Sequence, residues 1–245
     1  MLRGVAVATS QLLAQSKRLE TLAANLAEVD TPGYRQDQIS EQTFSELLVE
    51  RISRDPAVVG PLGLGSVMSR PNVDLSAGPI DPTDRPLDVA LTGPGFFAVQ
   101  APDGLRYTRR GAFQQDGNGQ LTSLEGWPVL GVAGPIRGKD KLSILPTGEV
   151  RSGDQVVGRL RIVDFPKGTE FDRPGGTYLV PTAGSVGQTE ANSELLVGHL
   201  EGSNVDLTST MTGVIAATRS YQAAQKALVT EDNALDRLIQ EVNQR

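Results

Sequence analysis

The sequence predicts a mainly β central domain, built from short antiparallel strands and hairpins, flanked by long N- and C-terminal α-helices that pair as a coiled coil. Two observations predict this fold class. All 15 prolines of the 245-residue chain lie between Pro32 and Pro181, so residues that interrupt helical hydrogen bonding are confined to the middle. Both ends instead repeat apolar residues in alternating steps of three and four, which is the spacing of a coiled-coil seam.

The N-terminal segment, residues 1–32, is predicted to be a helix that serves in assembly. It ends at Asp30-Thr31-Pro32-Gly33, because proline and glycine both break helices. The apolar residues of its predicted assembly seam are Leu2, Val5, Leu12, Leu19 and Leu26.

Residues 33–81 are predicted to be an extended linker. The linker begins with polar residues, contains a possible short helix over 41–51, and ends in a run rich in glycine and proline.

The β domain is predicted over residues 82–185. Stretches rich in Thr, Val and Gly alternate there with turn signals such as Asp116-Gly117-Asn118-Gly119, whose glycines supply the positive φ of tight hairpins. The predicted strands are 87–91, 95–100, 105–109, 120–123, 128–132, 141–144, 149–151, 155–164 and 177–180. Residues 186–203, rich in Gly, Ser, Thr and Asn, are predicted to be an extended connector.

The C-terminal segment, residues 204–245, is predicted to be the second assembly helix, with Asn204 or Asp206 capping its start. A helix over 207–243 would be roughly 55 Å long at 1.5 Å per residue. Such a helix is too long to bury its seam against a small domain, so it needs a partner helix or another chain. Its predicted assembly seam contains Met211, Val214, Tyr221, Leu228, Leu235, Ile239 and Val242.

The composition excludes several kinds of chemistry. The chain has no cysteine and one histidine, His199, so disulfides, thiolate sites and poly-histidine metal centres are excluded. We therefore predict no catalytic residues, no metal and no cofactor. A net charge of −6 argues against nucleic-acid binding. No run of about 18 apolar residues predicts a membrane span, and polar residues interrupt any signal-peptide core near the N-terminus.

Four blocks of residues resemble the flagellar basal-body rod and hook family. The first block runs from Leu22 to Arg35, with Ala24 and Glu28 at positions where the family usually has Asn. The second block is 88–99, the third is 107–113 (Y-T-R-R-G-A-F), and the fourth is 200–206 (L-E-G-S-N-V-D). The family-motif residues are Asn25, Thr31, Gly33, Tyr34, Gly93, Gly95, Phe96, Phe97, Ser203, Asn204 and Asp206.

The resemblance implies a non-enzymatic subunit of the bacterial flagellar rod, which self-assembles into a helical tube that transmits torque from motor to hook. It further implies that the partners are copies of this chain, neighbouring rod and hook proteins, and the flagellar export apparatus. Export would then proceed across the cytoplasmic membrane, without a cleaved signal peptide, to the basal body. The short chain favours a rod protein over the longer hook protein, and both the proximal-rod and the distal-rod members fit.

Two other functions remain open at this point. One is a cell-surface binding module in which the helices serve as dimerisation handles. The other is a hydrolase centred on His199, although no G-x-S-x-G nucleophile elbow accompanies that residue.

Overall fold

The computed structural model describes residues 2–43, 47–51, 57–62, 66–166, 168–182, 189–190 and 193–243. The chain divides into two units. Unit 1 comprises Met1–Leu26, Asp37–Pro71 and Leu207–Arg245, and unit 2 comprises Ala27–Gln36 and Asn72–Asp206.

Unit 1 contains the two terminal helices and short strands. Helix α1 spans Leu2–Ala27, and helix α2 spans Leu207–Asn243. The strands are β1 (Asp37–Gln38), β2 (Glu41–Thr43), β3 (Leu47–Arg51), β4 (Ala57–Leu62) and β5 (Ser66–Met68). β2 pairs antiparallel with β5, and β3 pairs antiparallel with β4.

The short helix predicted over 41–51 is wrong for the described residues of that stretch, which form β2 and β3. Glu and Leu favour a helix locally, but antiparallel pairing with β5 and β4 decides the conformation here. Residues 44–46 lie outside the described residues.

Small and polar side chains form the buried faces of the two helices. In α2 the buried residues Thr210, Ala217 and Ala224 are spaced seven apart. In α1 the buried side chains are Ala8, Ala14, Gln15, Thr21 and Asn25. The helices approach each other at Gly213, where an added Cβ would lie 3.4 Å from the Leu22 side chain.

The predicted pairing of the helices as a coiled coil is wrong. A coiled coil inserts its large apolar seam residues between the helices, yet Met211 is 51% exposed and Leu12, Leu19 and Leu26 are only half-buried. Val214, Tyr221 and Leu228 are also half-buried. The seam side chains of Leu2, Val5, Leu235, Ile239 and Val242 lie outside the described residues.

Unit 2 is built from short antiparallel strands. In chain order they are β6 (Asn72–Val73), β7 (Ile80–Pro82), β8 (Val89–Thr92), β9 (Phe96–Ala101), β10 (Gly104–Thr108), β11 (Phe113–Gln115), β12 (Leu121–Ser123), β13 (Leu130–Gly131), β14 (Gly134–Pro135), β15 (Leu142–Ile144), β16 (Glu149–Ser152), β17 (Gln155–Arg159), β18 (Ile162–Asp164), β19 (Phe171–Gly175), β20 (Tyr178–Pro181), β21 (Thr189–Glu190), β22 (Glu194–Val197) and β23 (His199–Glu201).

The main sheet of unit 2 has six strands in the order β19-β20-β10-β9-β18-β21. The hairpin of β9 and β10 places Tyr107 opposite Ala98. β15, β16 and β17 form a second sheet, and the other described strands of unit 2 include the pairs β11–β12, β13–β14, β8–β22 and β7–β23. The mainly β centre of the predicted fold class thus agrees with the structure, and each predicted strand overlaps an observed one.

Two apolar clusters fill unit 2, and adjacent residues of β9 supply both. Because successive side chains of a strand point to opposite faces, Phe96 and Phe97 enter different clusters. Phe97 makes an edge-to-face contact with Phe113, with ring centroids 5.2 Å apart. Phe96 packs on the other side against Phe165 and Phe171.

Candidate functional site

A buried charge cluster lies in unit 2, where the segment that follows α1 meets the segment that precedes α2. The Arg35 Nη2 donates to Glu201 Oε1 at 2.5 Å, and both side chains are fully buried. The Arg109 Nη1 lies 3.4 Å from the second oxygen of Glu201, and its Nη2 donates to the Gly93 carbonyl at 2.6 Å. The backbone N–H of Gly78 also donates to Glu201 Oε1, at 3.0 Å.

The cluster contains two cations and one anion, all buried. Burial lowers the pKa of Arg109 to about 10; Glu201 opposes this shift, and the nearby Arg35 adds to it. A buried ion pair is costly to form, and removing one partner is more costly still because the other charge is left unpaired. Glu201 therefore holds the cluster together.

A tight turn over residues 31–34 positions Arg35 in this cluster. The Tyr34 N–H donates to the Thr31 carbonyl at 3.2 Å, and Gly33 has a φ of +73°. Proline followed by a glycine of positive φ is the pattern of a type II turn. The Gly33 N–H donates to the Glu201 carbonyl at 2.7 Å. A Cβ at Gly33 would lie 2.3 Å from the Arg110 backbone nitrogen, so only glycine fits.

Arg173 packs on Tyr34 and stabilises this turn. The Arg173 guanidinium lies over the buried Tyr34 ring, 4.5 Å from its centroid, and its Nη2 donates to the Arg35 carbonyl at 2.6 Å. A guanidinium over an aromatic face is an attractive cation–π contact. Arg173, on β19, thus fixes the residues that carry Arg35.

Asn204 joins three segments of unit 2. Its Oδ1 accepts from the Gln36 N–H at 2.7 Å, and its Nδ2 donates to the carbonyls of Asp74 and Ser76 at 3.0 and 3.1 Å. Both polar atoms of the Asn204 side chain therefore bond to residues of unit 2. Of the two predicted capping residues, Asp206 is the one directly before α2. The Ser203 Oγ accepts from the Val205 N–H.

Asn25 has a comparable role within unit 1. Its Nδ2 donates to the Asp37 carbonyl at 2.9 Å, and its Oδ1 accepts from the Asp37 N–H at 3.0 Å. The buried side-chain amide thereby satisfies both backbone groups of one residue. This pairing explains why an amide side chain is suited to this position of the motif.

The remaining motif residues shape the loop before β9. Gly93 and Gly95 have φ values of +132° and +125°. The Gly93 carbonyl accepts from Arg109, and the next residues, Phe96 and Phe97, supply both apolar clusters. The structure thus brings Gly33, Tyr34 and Gly93 to the charge cluster, places Asn204 beside it in the segment that follows Glu201, and places Asn25 in unit 1.

Sequence reasoning missed Arg35, Arg109 and Glu201 as site residues. Arg35, Arg109 and Glu201 all stand within the recognised motif blocks, at 22–35, 107–113 and 200–206. Opposite charges within separate motif blocks are the signal that could have indicated a pair, although Arg35 and Glu201 lie 166 residues apart in sequence.

Arg106 and Arg110 belong to a surface group around Trp127, the single tryptophan of the chain. The Arg106 guanidinium lies 4.7 Å from the Trp127 ring centroid. The Trp127 ring contacts Tyr178, whose hydroxyl donates to Glu125, and Glu125 also pairs with Arg110 at 3.2 Å. Glu125 thus binds both Arg110 and Tyr178, which supports a structural role for the group.

The ionisation of Glu125 is expected to make the stability of unit 2 depend on pH. Burial alone would raise the pKa of Glu125, but hydrogen bonds, chiefly from Tyr178, hold it below its ordinary value of 4.5. A lowered folded-state pKa gives a stabilisation that is complete above about pH 4.5 and is lost as the pH falls through the lowered pKa. Denaturant unfolding followed by Trp127 fluorescence should show this loss in the wild type and a smaller loss in Glu125→Gln. Equal losses of stability in the wild type and in Glu125→Gln would contradict a contribution from Glu125 ionisation.

His199 and the Asp116 loop each lie close to backbone hydrogen-bonding groups. The His199 Nδ1 lies 3.0 Å from the Val197 carbonyl, on a strand that pairs with β7. The Asp116 Oδ1 accepts from the N–H groups of Asn118 and Gln120, which closes a hairpin turn. Within the described residues, no group of three or more His, Asp or Glu side chains is placed to hold a metal ion.

An open pocket of about 400 Å³ lies beside the turn in unit 2. Its apolar lining is provided by Val29, Pro32, Pro79, Leu200 and Val205. Two exposed acids, Asp30 and Asp81, stand at the pocket together with Thr83 and Ser203. The site can therefore accept an apolar side chain that carries a neighbouring positive charge.

A separate apolar stripe is exposed along α2. Leu207, Met211 and Ile215 follow one another at four-residue intervals, and they are 46%, 51% and 55% exposed. Residues four apart lie on the same side of a helix. The stripe overlaps the predicted seam at Met211 and then departs from it, since Val214 is half-buried and Ile215 is exposed.

No helix among the described residues is long and apolar enough to span a membrane.

Three family models match the chain. The model described as flagella basal body rod protein matches residues 6–35, that of the flagellar hook protein FlgE/F/G D1 domain matches 90–152, and that of the flagellar basal body rod FlgEFG protein C-terminal matches 196–241. Together they cover the turn, the glycine loop and the Asn204 segment.

The chain is also similar over its length to curated rod proteins. It is 35% identical to the flagellar basal-body rod protein FlgF of Escherichia coli K12, over 93% of this chain and 92% of the relative. It is 33% identical to FlgF of Salmonella typhimurium, over 92% and 91%, and 29% identical to the rod protein FlgG of Bacillus subtilis, over 98% of each. The chain therefore belongs to the flagellar basal-body rod proteins and is a structural subunit of the flagellar rod.

Proposed function

We propose that this subunit assembles with copies of itself and with neighbouring rod and hook proteins into a helical tube that transmits torque from motor to hook. The exposed stripe of α2 is the observation that carries the proposal. Its three large apolar residues, Leu207, Met211 and Ile215, lie on one side of the helix and remain in water until a partner covers them. Leu13, 68% exposed on α1, adds to the apolar surface available for such contacts.

Torque transmission requires a body that resists deformation. Unit 2 provides support for this role through the Arg35–Glu201–Arg109 cluster, which ties together segments that adjoin α1 and α2 in sequence. Buried, hydrogen-bonded ion pairs hold their neighbours in one geometry, because any displacement leaves a charge without a partner.

We further propose that the subunit has no catalytic role and crosses the cytoplasmic membrane through the flagellar export apparatus without a cleaved signal peptide. The N-terminal family match at residues 6–35 supports retention of this segment in the assembled protein. Its Tyr34 and Arg35 are fully buried parts of unit 2, so they belong to the folded subunit.

Removing the apolar stripe is expected to prevent assembly without unfolding the subunit. A strain lacking the chain should form no complete rods, and the wild-type gene should restore both rods and swimming. Met211→Gln with Ile215→Gln should fail to restore them, because glutamine keeps helix propensity while removing apolar contact. Electron micrographs of isolated basal bodies, with motility in soft agar, provide the measurement.

Val156→Thr is the matched control, since Val156 is also 55% exposed but lies on β17 in unit 2. This variant should form rods as the wild type does. Complete rods in the strain without the chain would contradict the proposal, as would full restoration by the glutamine variant.

A further inference from the structure

We propose that the pocket of unit 2 is the docking site for the α2 stripe of a second copy of this chain, with Met211 and Ile215 entering the pocket. The inference rests on the proposed assembly function and names the surfaces that meet. It gives one role to two features, an open pocket with a partly apolar lining and an apolar stripe in water.

The pocket is large enough for the stripe residues, and its apolar lining residues offer them a contact surface. The volume of about 400 Å³ equals the space of roughly a dozen water molecules at about 30 Å³ each, so it exceeds one side chain. Met211 and Ile215 are separated by about 6 Å along the helix axis. Two such side chains can therefore enter the same pocket and contact Leu200 and Val205.

The charges of the two surfaces are complementary. Asp30 and Asp81 are exposed at the pocket, and no lysine or arginine is among its lining residues. On α2, Arg219 and Lys226 are exposed and lie about 40° and about 20° around the helix from Ile215, at about 100° per residue. Both cations thus flank the stripe on the side that carries Ile215, where they can meet the two aspartates.

A second copy is the occupant because every copy of the chain carries both the pocket and the stripe. Met211 and Ile215 are 51% and 55% exposed on α2, so they are available to a partner. A pocket and a stripe at different places on one molecule form a heterologous contact, in which each copy offers a free pocket and a free stripe to the next. Such contacts continue into an open helical assembly.

Cysteine pairing tests this contact directly, because the natural chain has no cysteine. Asp81→Cys and Ile215→Cys are placed in separate chains, which are co-expressed in a strain lacking the natural protein. Basal bodies are isolated, oxidised and separated on a non-reducing gel. A disulfide between these chains can only form between two copies, and mass spectrometry of the dimer identifies the joined peptides.

We expect at least fivefold more 81–215 dimer than with a matched control that pairs Ile215→Cys with Asp154→Cys. Asp154 is an exposed aspartate outside the pocket lining. Equal yields from the two pairs would overturn the docking proposal. If the basal bodies contain both variants but no 81–215 dimer, the docking proposal falls while the rod function stands. Absence of the chain from the basal bodies would refute the rod function and the docking proposal with it.

Charge reversal provides an independent measurement. Asp30→Arg and Arg219→Asp, each present on every copy that bears the cysteines, should lower the dimer yield about two- to fivefold, in keeping with exposed ion pairs. Combining both reversals should restore the yield, because the pair is then re-formed with opposite sign. A combined variant no better than the single ones would count against the proposed pairing.

Discussion

Replacing Glu201 by alanine is expected to lower the free energy of unfolding of unit 2 by about 3–5 kcal/mol, the usual cost of removing one partner from a buried ion pair. The substitution leaves Arg35 and Arg109 buried without their shared carboxylate, and it frees the Gly78 N–H. Urea unfolding followed by the fluorescence of Trp127, which lies in unit 2, measures the change.

Asp103→Ala is the matched control for this experiment. Its pair with Arg106 has the same 2.5 Å separation as the Arg35–Glu201 pair, but Asp103 is 62% exposed. Water already solvates such a carboxylate, so its removal should leave the unfolding midpoint unchanged within error. Similar losses for the two variants would show that burial does not set the strength of the cluster.

Gly33→Ala is expected to destabilise unit 2 by about 2–5 kcal/mol. A left-handed φ costs an alanine about 1–2 kcal/mol, and forcing atoms apart in a packed site costs about 1–3 kcal/mol more. The added Cβ would meet backbone atoms of Arg110 at 2.3 and 2.5 Å, and backbone cannot rotate away as a side chain can. The same fluorescence measurement applies.

Gly176→Ala separates the two contributions. Gly176 also has a left-handed φ, +54°, but an added Cβ there meets no atom within 4 Å. This variant should lose only the conformational part, about 1–2 kcal/mol. If Gly33→Ala costs no more than Gly176→Ala, the close approach of the turn to Arg110 is not a source of stability.

Local sequence signals predicted the two helices and several strands of unit 2. The two proline-free ends of the chain form helices whose bounds lie close to the predicted ones. The Asp116 loop forms the expected hairpin turn. The connector predicted over 186–203 contains β22 and β23, which were missed because a strand at the edge of a small sheet owes its conformation to its partner.

Contacts between distant residues could not be predicted in the same way. The apolar repeat indicated which side of α2 is rich in large residues, but Thr210 and Ala217 form its buried face because small residues let backbones approach closely. The motif blocks pointed to Gly33 and Asn204, whereas the pairing of Arg35 with Glu201 depends on folding that no local pattern encodes.

The 166-residue separation between Arg35 and Glu201 has a consequence for biosynthesis. A chain emerging from the ribosome holds Arg35 and Arg109 long before their carboxylate has been made, so burying both cations is unfavourable until residue 201 appears. Closing so long a loop also slows folding. Unit 2 therefore completes its fold only after residue 201 has been synthesised, and premature termination before that residue leaves it without its central anion.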